Sequence, residues 1–262
     1  MTNLELALSW EADPFVMGFA AVATGAYVAV VRGALTRRAW FFVAALGIFL
    51  VALLSPIDVL ARGYLFSAHM LQHLLLLLAV PPLALLSLPP AKAGAPGSKW
   101  RVAPIVAWGL GVGAMWAWHA PVMCNAAATN VLVQYGQTLS LLAMGGAYWW
   151  PILSPRPASR LETFPAITYL FAACLACTIL GVIVTFSPVA VCNAFAHPID
   201  RTGALGLVRD GWGITAKSDQ EMGGLLMWVP TCVVYTGAIL AMLGRYYGER
   251  PAARERATEA AP

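Results

Sequence analysis

Charged residues are scarce in this sequence. They make up 11% of its 262 residues, whereas a soluble domain usually carries about 25%. Hydrophobic residues reach 60%, and the mean hydropathy is +0.73. The alternation typical of a transmembrane barrel is also lacking, while several runs of about 20 apolar residues are long enough to cross a hydrocarbon core about 30 Å thick as helices. The sequence therefore predicts an all-α, polytopic transmembrane helical bundle.

Motifs of soluble-type active sites are missing too. The chain has no Walker motif, no nucleophile elbow and no GxGxxG, so we expect a protein that is not an enzyme. Its five cysteines are an odd number, which does not suggest a disulfide scaffold in a chain of this length. Cys124 and Cys192 fall in predicted loops on one side of the membrane, where an oxidising compartment would permit a disulfide. Sequence alone leaves open whether they pair.

Seven spans follow from the apolar runs and from the proline and glycine clusters between them. The first run is preceded by acidic residues and no cleavage site follows it, so we expect it to remain as a helix. The predicted spans are residues 14–31, 39–55, 64–88, 102–119, 131–152, 163–187 and 223–243. Together they predict one transmembrane domain, residues 1–249, followed by a disordered cytoplasmic tail, residues 250–262.

The basic residues predict the orientation, because cytoplasmic loops are enriched in Lys and Arg. Arg62, Arg201, Arg209 and Lys217 fall on one side. The rest of the 16 Lys and Arg follow spans one, three, five and seven: Arg32, Arg37, Arg38, Lys92, Lys99, Arg101, Arg156, Arg160, Arg245, Arg250, Arg254 and Arg256. We predict a multi-pass protein of the plasma (inner) membrane with its N-terminus outside and its C-terminus in the cytoplasm.

All four histidines fall on the predicted outer side, and two of them share a helix face. His69 and His73 are four residues apart near the start of span three, so their side chains project together. An i, i+4 histidine pair can hold a metal ion at two points, and an ionisable group inside a span usually faces the bundle interior or a cavity. The alternative interpretation is that both rings only form hydrogen bonds with neighbouring helices.

His119 lies at the outer end of span four. One cytoplasmic loop joins spans three and four, which makes them antiparallel neighbours and brings His119 to the depth of the histidine pair. Imidazole suits copper, zinc and iron, and thioether sulfur favours Cu(I). We predict a metal site formed by His69, His73 and His119, with Met70, Met123, Asp219 and Met222 as secondary candidates. The alternatives are core packing for the methionines and capping of the seventh helix for Asp219.

Two residue pairs in the membrane interior allow further predictions. Pro81-Pro82 removes two backbone donors from span three and should kink it. Cys174 and Cys177 lie three residues apart in span six, where copper transit is one interpretation and packing as small hydrophobic residues is the other.

Four segments resemble a known family. They are SPIDVLARGYLFSAHMLQHLLLLLAVPPLALL, WAWHAP followed by CNAA, YWWPIL, and DQEMGGLLMWVP. These segments are similar to those of the seven-helix cytochrome c oxidase assembly factors of the caa3-type CtaG family, from about Ser55 to Arg245. The sequence departs from the family at Cys124, where an aromatic residue is expected before the asparagine. The matched positions are His69, Met70, Gln72, His73, Trp118, His119, Pro121, Asp219, Gln220, Gly223 and Gly224.

The resemblance implies a role in maturing a haem–copper oxidase of the respiratory chain through the handling of copper. The expected protein is a chaperone that holds copper and passes it to an oxidase subunit in the same bilayer, with periplasmic copper chaperones as further partners and no nucleic acid. Three alternatives stay open: a b-type haem protein with histidine ligands from two helices, a copper or proton transporter, and a metal-free assembly scaffold. The oxidase served, the oxidation state of the metal and the oligomeric state are also open.

Overall fold

The computed structural model describes residues 1–31, 37–91 and 103–259, with side chains described as far as residue 248. All of the regular structure in these ranges is helical. Of the basic residues that predict the orientation, Arg32, Lys92, Lys99 and Arg101 lie outside the described residues, and the side chains of Arg250, Arg254 and Arg256 lie beyond the described ones.

A helical segment covers each of the seven predicted spans. The segments are α2 (Pro14–Val31), α3 (Ala39–Leu54), α5 (Phe66–Leu74) with α6 (Val80–Ser87), α7 (Pro104–His119), α9 (Val131–Leu153), α10 (Thr163–Phe186) and α13 (Ala216–Glu259). In the described part of the chain, four stretches are long and apolar enough to cross a membrane: Pro14–Val31, Phe66–Ser87, Thr163–Phe186 and Ala216–Gly248.

The remaining three helices stay predicted spans for different reasons. α3 and α7 have 16 residues each, which is slightly short for a hydrocarbon core. α9 is long enough, with 23 residues, but it contains the polar residues Gln134 and Gln137, which lower its hydropathy. The disorder predicted for the tail from residue 250 also stays a prediction, and the described backbone of α13 continues to Glu259.

The third predicted span is interrupted where its two prolines fall. A π-helical segment, Leu75–Ala79, separates α5 from α6, and Pro81 and Pro82 stand at the start of α6. Because Pro81 has no N–H, it cannot bond to the carbonyl of Leu77 one turn earlier. The indole Nε1 of Trp149 donates to that carbonyl instead, at 3.2 Å. The freed backbone group is thus satisfied by α9, and the interruption leaves α5 free to take its own direction.

Short helices and loops cover one end of the bundle. This end, formed by residues 1–13, 55–65, 120–130 and 187–215, is called the disulfide end below. Cys124 and Cys192 form a disulfide there, with their Cα atoms 5.8 Å apart. The short helices are α1 (Asn3–Ala7), α4 (Pro56–Ala61), α8 (Pro121–Thr129), α11 (Asn193–Ala196) and α12 (Ala204–Gly206). Asn125 Oδ1 also accepts a hydrogen bond from Ala194 N at 2.9 Å, so the two Cys-Asn-Ala segments of the sequence meet.

Helix α13 packs between α10 and α5, and glycines permit the close approach. A Cβ atom at Gly223 would collide with the ring of Phe66 on α5, and one at Gly224 would collide with Thr185 on α10. One predicted neighbour relation differs: α7 packs mainly along α9 rather than along α5. The end of α7 reaches the third span at His119, which lies beside His73 and Met70.

Candidate metal centre

Three imidazole rings meet at the disulfide end of the bundle. The ring centroids of His69 and His73 are 4.4 Å apart, and those of His73 and His119 are 5.3 Å apart. Each residue exposes between 2% and 4% of its surface. The i, i+4 spacing on α5 accounts for the first contact, and the position of His119 as the last residue of α7 accounts for the second. The ligand role of these rings stays a prediction.

Asp219 fixes the start of the helix that carries His69 and His73. Its carboxylate accepts hydrogen bonds from Phe66 N at 2.7 Å, Ser67 N at 3.0 Å and Ser67 Oγ at 2.6 Å. These donors lie in the first turn of α5, whose N–H groups have no partner within the helix. Asp219 therefore caps α5 from α13, whereas the sequence had suggested a cap for the seventh helix itself. Both carboxylate oxygens of Asp219 are therefore occupied by hydrogen bonds that position α5.

The protonation of His119 follows from its partner on α7. Its Nδ1 lies 2.5 Å from the carbonyl oxygen of Met115, and a carbonyl only accepts, so Nδ1 carries the proton. In a neutral ring Nε2 then holds a lone pair, and this atom lies 2.9 Å from the sulfur of Met70. The thioether has no proton to donate. Two electron-pair donors thus face each other, which is the arrangement that a soft cation would stabilise.

His69 and His73 are both buried, the first beside the backbone of Ala61 and the second beside the amide of Gln137. None of their four ring nitrogens makes a well-aligned hydrogen bond with a described residue, and neither does the amide nitrogen of Gln137. A buried polar group without a partner costs about 1 to 3 kcal/mol. The cluster is therefore polar, enclosed and unsatisfied.

Phe195 covers the cluster on the side of the loop after α10. Its ring centroid lies 5.3 Å from that of His69 and 5.7 Å from that of Phe66. Phe195 belongs to α11, which begins immediately after Cys192, so the disulfide to Cys124 anchors the covering residue. Phe195 therefore shields the ring of His69 on this side.

A network of charged side chains lies next to the cluster. Arg62 forms ion pairs with Asp58 at 2.5 Å and with Asp13 at 3.1 Å, and Tyr135 donates to Asp13 at 2.8 Å. Gln72 on α5 donates to Asp58 Oδ1 at 2.9 Å. Burial raises the pKa of Asp58 to about 6, against the opposing charge of Arg62. At Asp13, burial opposes the hydrogen bonds from Tyr135 and Arg62, which lower its pKa.

The secondary candidates differ in their surroundings. Met123 and Met222 are 40% and 38% exposed, and His197 is exposed in the loop after α11. Met70 is buried and contacts His119 through its sulfur. Within the described ranges, no set of three or more His, Cys, Asp and Glu side chains has the arrangement of a metal centre.

Comparison with known families identifies the chain. A family model described as cytochrome c oxidase caa3 assembly factor (Caa3_CtaG) matches residues 21–249. The chain belongs to this family. The match confirms the resemblance, and it extends beyond the segments that carried it to include α2 from residue 21 onward and all of α3. No curated protein and no solved structure matches the chain. Membership in Caa3_CtaG makes the protein a factor in oxidase assembly, and the matched residues include the three imidazoles, both cysteines of the disulfide and the Asp58–Arg62 ion pair.

The structure adds two residues to the site that the sequence analysis did not select. Gln137 is a buried amide within a predicted span, residues 131–152. A polar residue inside a span is a functional candidate by default, so the sequence did contain a signal. For Phe195 the sequence contained no comparable signal. An aromatic residue between two spans covers a site only if its segment folds back over that site, and the sequence does not show this.

Proposed function

We propose that this caa3 assembly factor binds one copper ion between His69, His73 and His119 and passes it to a subunit of a haem–copper oxidase in the same membrane. In this proposal copper is cargo, and the protein acts as a chaperone rather than as an enzyme. The observation that carries the proposal is the set of buried ring nitrogens on His69 and His73 without partners. A bound cation would offset the cost of burying them.

Copper in the Cu(I) state fits the donors better than a harder metal does. Imidazole nitrogen and thioether sulfur are both available, because the sulfur of Met70 lies 2.9 Å from His119 Nε2. Carboxylates, which Mg²⁺ and Ca²⁺ prefer, are committed elsewhere: Asp219 to the start of α5 and Asp58 to Arg62. Haem is supported less well than copper, since the imidazole rings pack on one another and leave no slot for a porphyrin between them.

The proposal includes seven spans, with the disulfide end facing outward from the plasma membrane and the C-terminus in the cytoplasm. A disulfide persists in an oxidising compartment, and Cys124–Cys192 lies at the same end as the imidazoles. Arg37, Arg38, Arg156, Arg160 and Arg245 belong to the opposite end, which suits a cytoplasmic face. Copper would then arrive from periplasmic chaperones and leave towards the oxidase on the outer side.

Copper content tests this function directly. Full-length protein is purified in detergent as wild type, as the His69→Ala/His73→Ala variant and as the matched control His197→Ala, which removes an exposed histidine outside the cluster. We expect the double variant to keep its membrane level, to lose about one bound copper per chain and to lose oxidase activity in the host. The control should keep both.

Other results would point to other functions. Normal copper content and normal oxidase activity in the double variant would overturn the site. Reduced oxidase activity with no copper in any sample would indicate a metal-free scaffold. A Soret band in the purified wild type would indicate a haem protein, and copper uptake into proteoliposomes would indicate a transporter.

A further inference from the structure

Two thiols from different helices touch in the membrane interior. Cys174 on α10 and Cys232 on α13 have their sulfur atoms 3.0 Å apart, and Thr178 Oγ1 lies 3.3 Å from the sulfur of Cys232. The spacing of Cys174 and Cys177 on one helix face had suggested those two as a pair. In the folded chain the partner of Cys174 is instead Cys232, which the sequence analysis did not select.

This thiol pair, Cys174 with Cys232, is separate from the imidazole cluster. His69 lies in the first turn of α5 at the disulfide end, whereas about 18 Å of helix separates Cys174 from Phe186, the last residue of α10 at that end. The neighbouring buried residues also differ: Cys174 packs against a hydrophobic cluster that includes Tyr148 and Tyr235, whereas Met70 and Phe195, which contact the imidazoles, belong to another cluster. The pair has its own surroundings at its own depth.

We propose that Cys174 and Cys232 form a second copper(I) site, between α10 and α13 in the membrane interior. Cysteine sulfur is a soft ligand that selects Cu(I), and Cu(I) accepts as few as two ligands. Both cysteines are partly exposed rather than sealed in the core. Their side chains each turn about a single bond, so the sulfurs can separate from direct contact to admit an ion between them.

The charge balance of this site suits a low-dielectric environment. One Cu⁺ displaces one S–H proton, which leaves the protein, and the copper then bonds to one thiolate and one neutral thiol. No electron is transferred, and the site has no net charge after binding. A net charge in the hydrocarbon region is costly, so the neutral product is favoured over a bis-thiolate. The hydroxyl of Thr178 can donate to the sulfur of Cys232 and stabilise its negative charge when that sulfur is the thiolate.

The thiol site goes beyond the proposed function and does not depend on it. It can therefore be tested in a His69→Ala/His73→Ala background, where the imidazole site is removed. Full-length protein in detergent is kept without oxygen, and its affinity for Cu(I) is measured by competition with the chelator bathocuproine disulfonate. Cys174→Ser and Cys232→Ser are added singly, and Cys177→Ser serves as the matched control because its sulfur is not part of the 3.0 Å contact.

We expect the background protein to bind one Cu(I), and each of the two partner substitutions to weaken this binding at least tenfold while the control leaves it unchanged. Below the thiol pKa the affinity should fall about tenfold for each unit of pH, because one proton is released per copper. X-ray absorption of the loaded background protein should show sulfur neighbours without imidazole.

Three results would overturn the thiol site: no Cu(I) binding in the background protein, equal losses from Cys174→Ser and Cys177→Ser, or imidazole scattering around the bound copper. Serine replaces the sulfur of cysteine with a smaller atom in similar geometry, so we expect every variant to be folded by size-exclusion chromatography. If a serine variant does not fold, the X-ray absorption spectrum of the background protein, in which both cysteines are intact, still tests the site. Failure of the thiol site is distinguishable from failure of the proposed function. If the proposed function were wrong, the copper content of the His69→Ala/His73→Ala variant would equal that of the wild type.

Discussion

Gln72 and His73 are consecutive residues on α5, are almost equally buried, and have opposite environments. Gln72 donates to the carbonyl of Ala52 at 2.7 Å and to Asp58 at 2.9 Å, while neither ring nitrogen of His73 has a partner among the described residues. Through Gln72, one face of the helix joins a network in which the carboxylates of Asp13 and Asp58 share the guanidinium of Arg62. The other face carries the imidazoles. The fold can evidently satisfy buried polar groups at this depth, so the unsatisfied rings are a local property of the cluster.

This contrast distinguishes buried polar groups that stabilise the fold from buried polar groups that are candidates for binding a ligand. Asp13, Asp58 and Arg62 stabilise the contacts between α2, α4 and α5 through ion pairs that are complete within the chain. The rings of His69 and His73 make no such contribution in the metal-free protein, whereas His119 donates to the carbonyl of Met115. Substituting His69 or His73 should therefore cost much less stability than breaking the ion pairs.

Removing Arg62 should have the largest effect on stability. Arg62→Ala leaves the carboxylates of Asp13 and Asp58 buried without a counter-charge, and breaking a buried pair in this way costs about 3 to 5 kcal/mol. We expect a strong fall in the temperature of thermal unfolding in detergent, followed by tryptophan fluorescence. Arg201→Ala, which removes an exposed arginine at the same end, should change it little. Equal effects of the two substitutions would show that the network is not stabilising.

Removing the cap on α5 should have the next largest effect. Asp219→Ala leaves the N–H groups of Phe66 and Ser67 without acceptors, at a cost of about 2 to 3 kcal/mol. Asp219→Asn keeps one acceptor oxygen and should cost less. Thermal unfolding measures both, with the exposed Asp210→Ala as control. If alanine were no worse than asparagine at this position, the cap would not contribute to stability.

Replacing His73 should have a small effect or even stabilise the metal-free protein. His73→Leu exchanges an imidazole without partners for an apolar side chain, so we expect a change within about 1 kcal/mol or a gain. His119→Leu should destabilise by about 1 kcal/mol, because it removes the hydrogen bond to the carbonyl of Met115. Chelator-treated protein is used for both unfolding measurements. A large loss from His73→Leu would contradict the contrast between the two faces of α5.

The last effect is a pH dependence of the free energy of unfolding. The folded protein holds the pKa of Asp58 at about 6, above its ordinary value of 3.8, so folding favours its protonated form. The stability gained from this group is full below about pH 4 and is lost as the pH rises to about 6. Asp58→Asn should remove that contribution and flatten the dependence between these pH values. An unchanged slope in unfolding curves at pH 4, 5 and 6 would show that Asp58 does not titrate in this range.

Much of the architecture follows from sequence patterns alone. Apolar runs bounded by proline and glycine predict helices that the structure places within a few residues, with α13 beginning earlier than its predicted span. The spacing of His69 and His73 predicts their contact, because four residues complete about one turn. The position of His119 at the end of its span predicts its depth.

Contacts between distant residues could not be predicted in the same way. Asp219 caps α5, Phe195 covers His69 and Cys232 meets Cys174 only because α13 packs between α5 and α10. A sequence pattern repeats along one helix and therefore reports which residues share a face, but it does not report which other helix lies against that face.

The sequence by itself determined that this chain is a helical membrane protein with an imidazole pair on one helix face, since hydropathy and helical periodicity are local properties. Tertiary structure alone decided that the third imidazole joins them, that Cys124 bonds to Cys192, and that the ring nitrogens of His69 and His73 are enclosed without partners. The physical reason is that hydrogen bonding and burial depend on all the neighbours of a group, and those neighbours come from helices far apart in the chain.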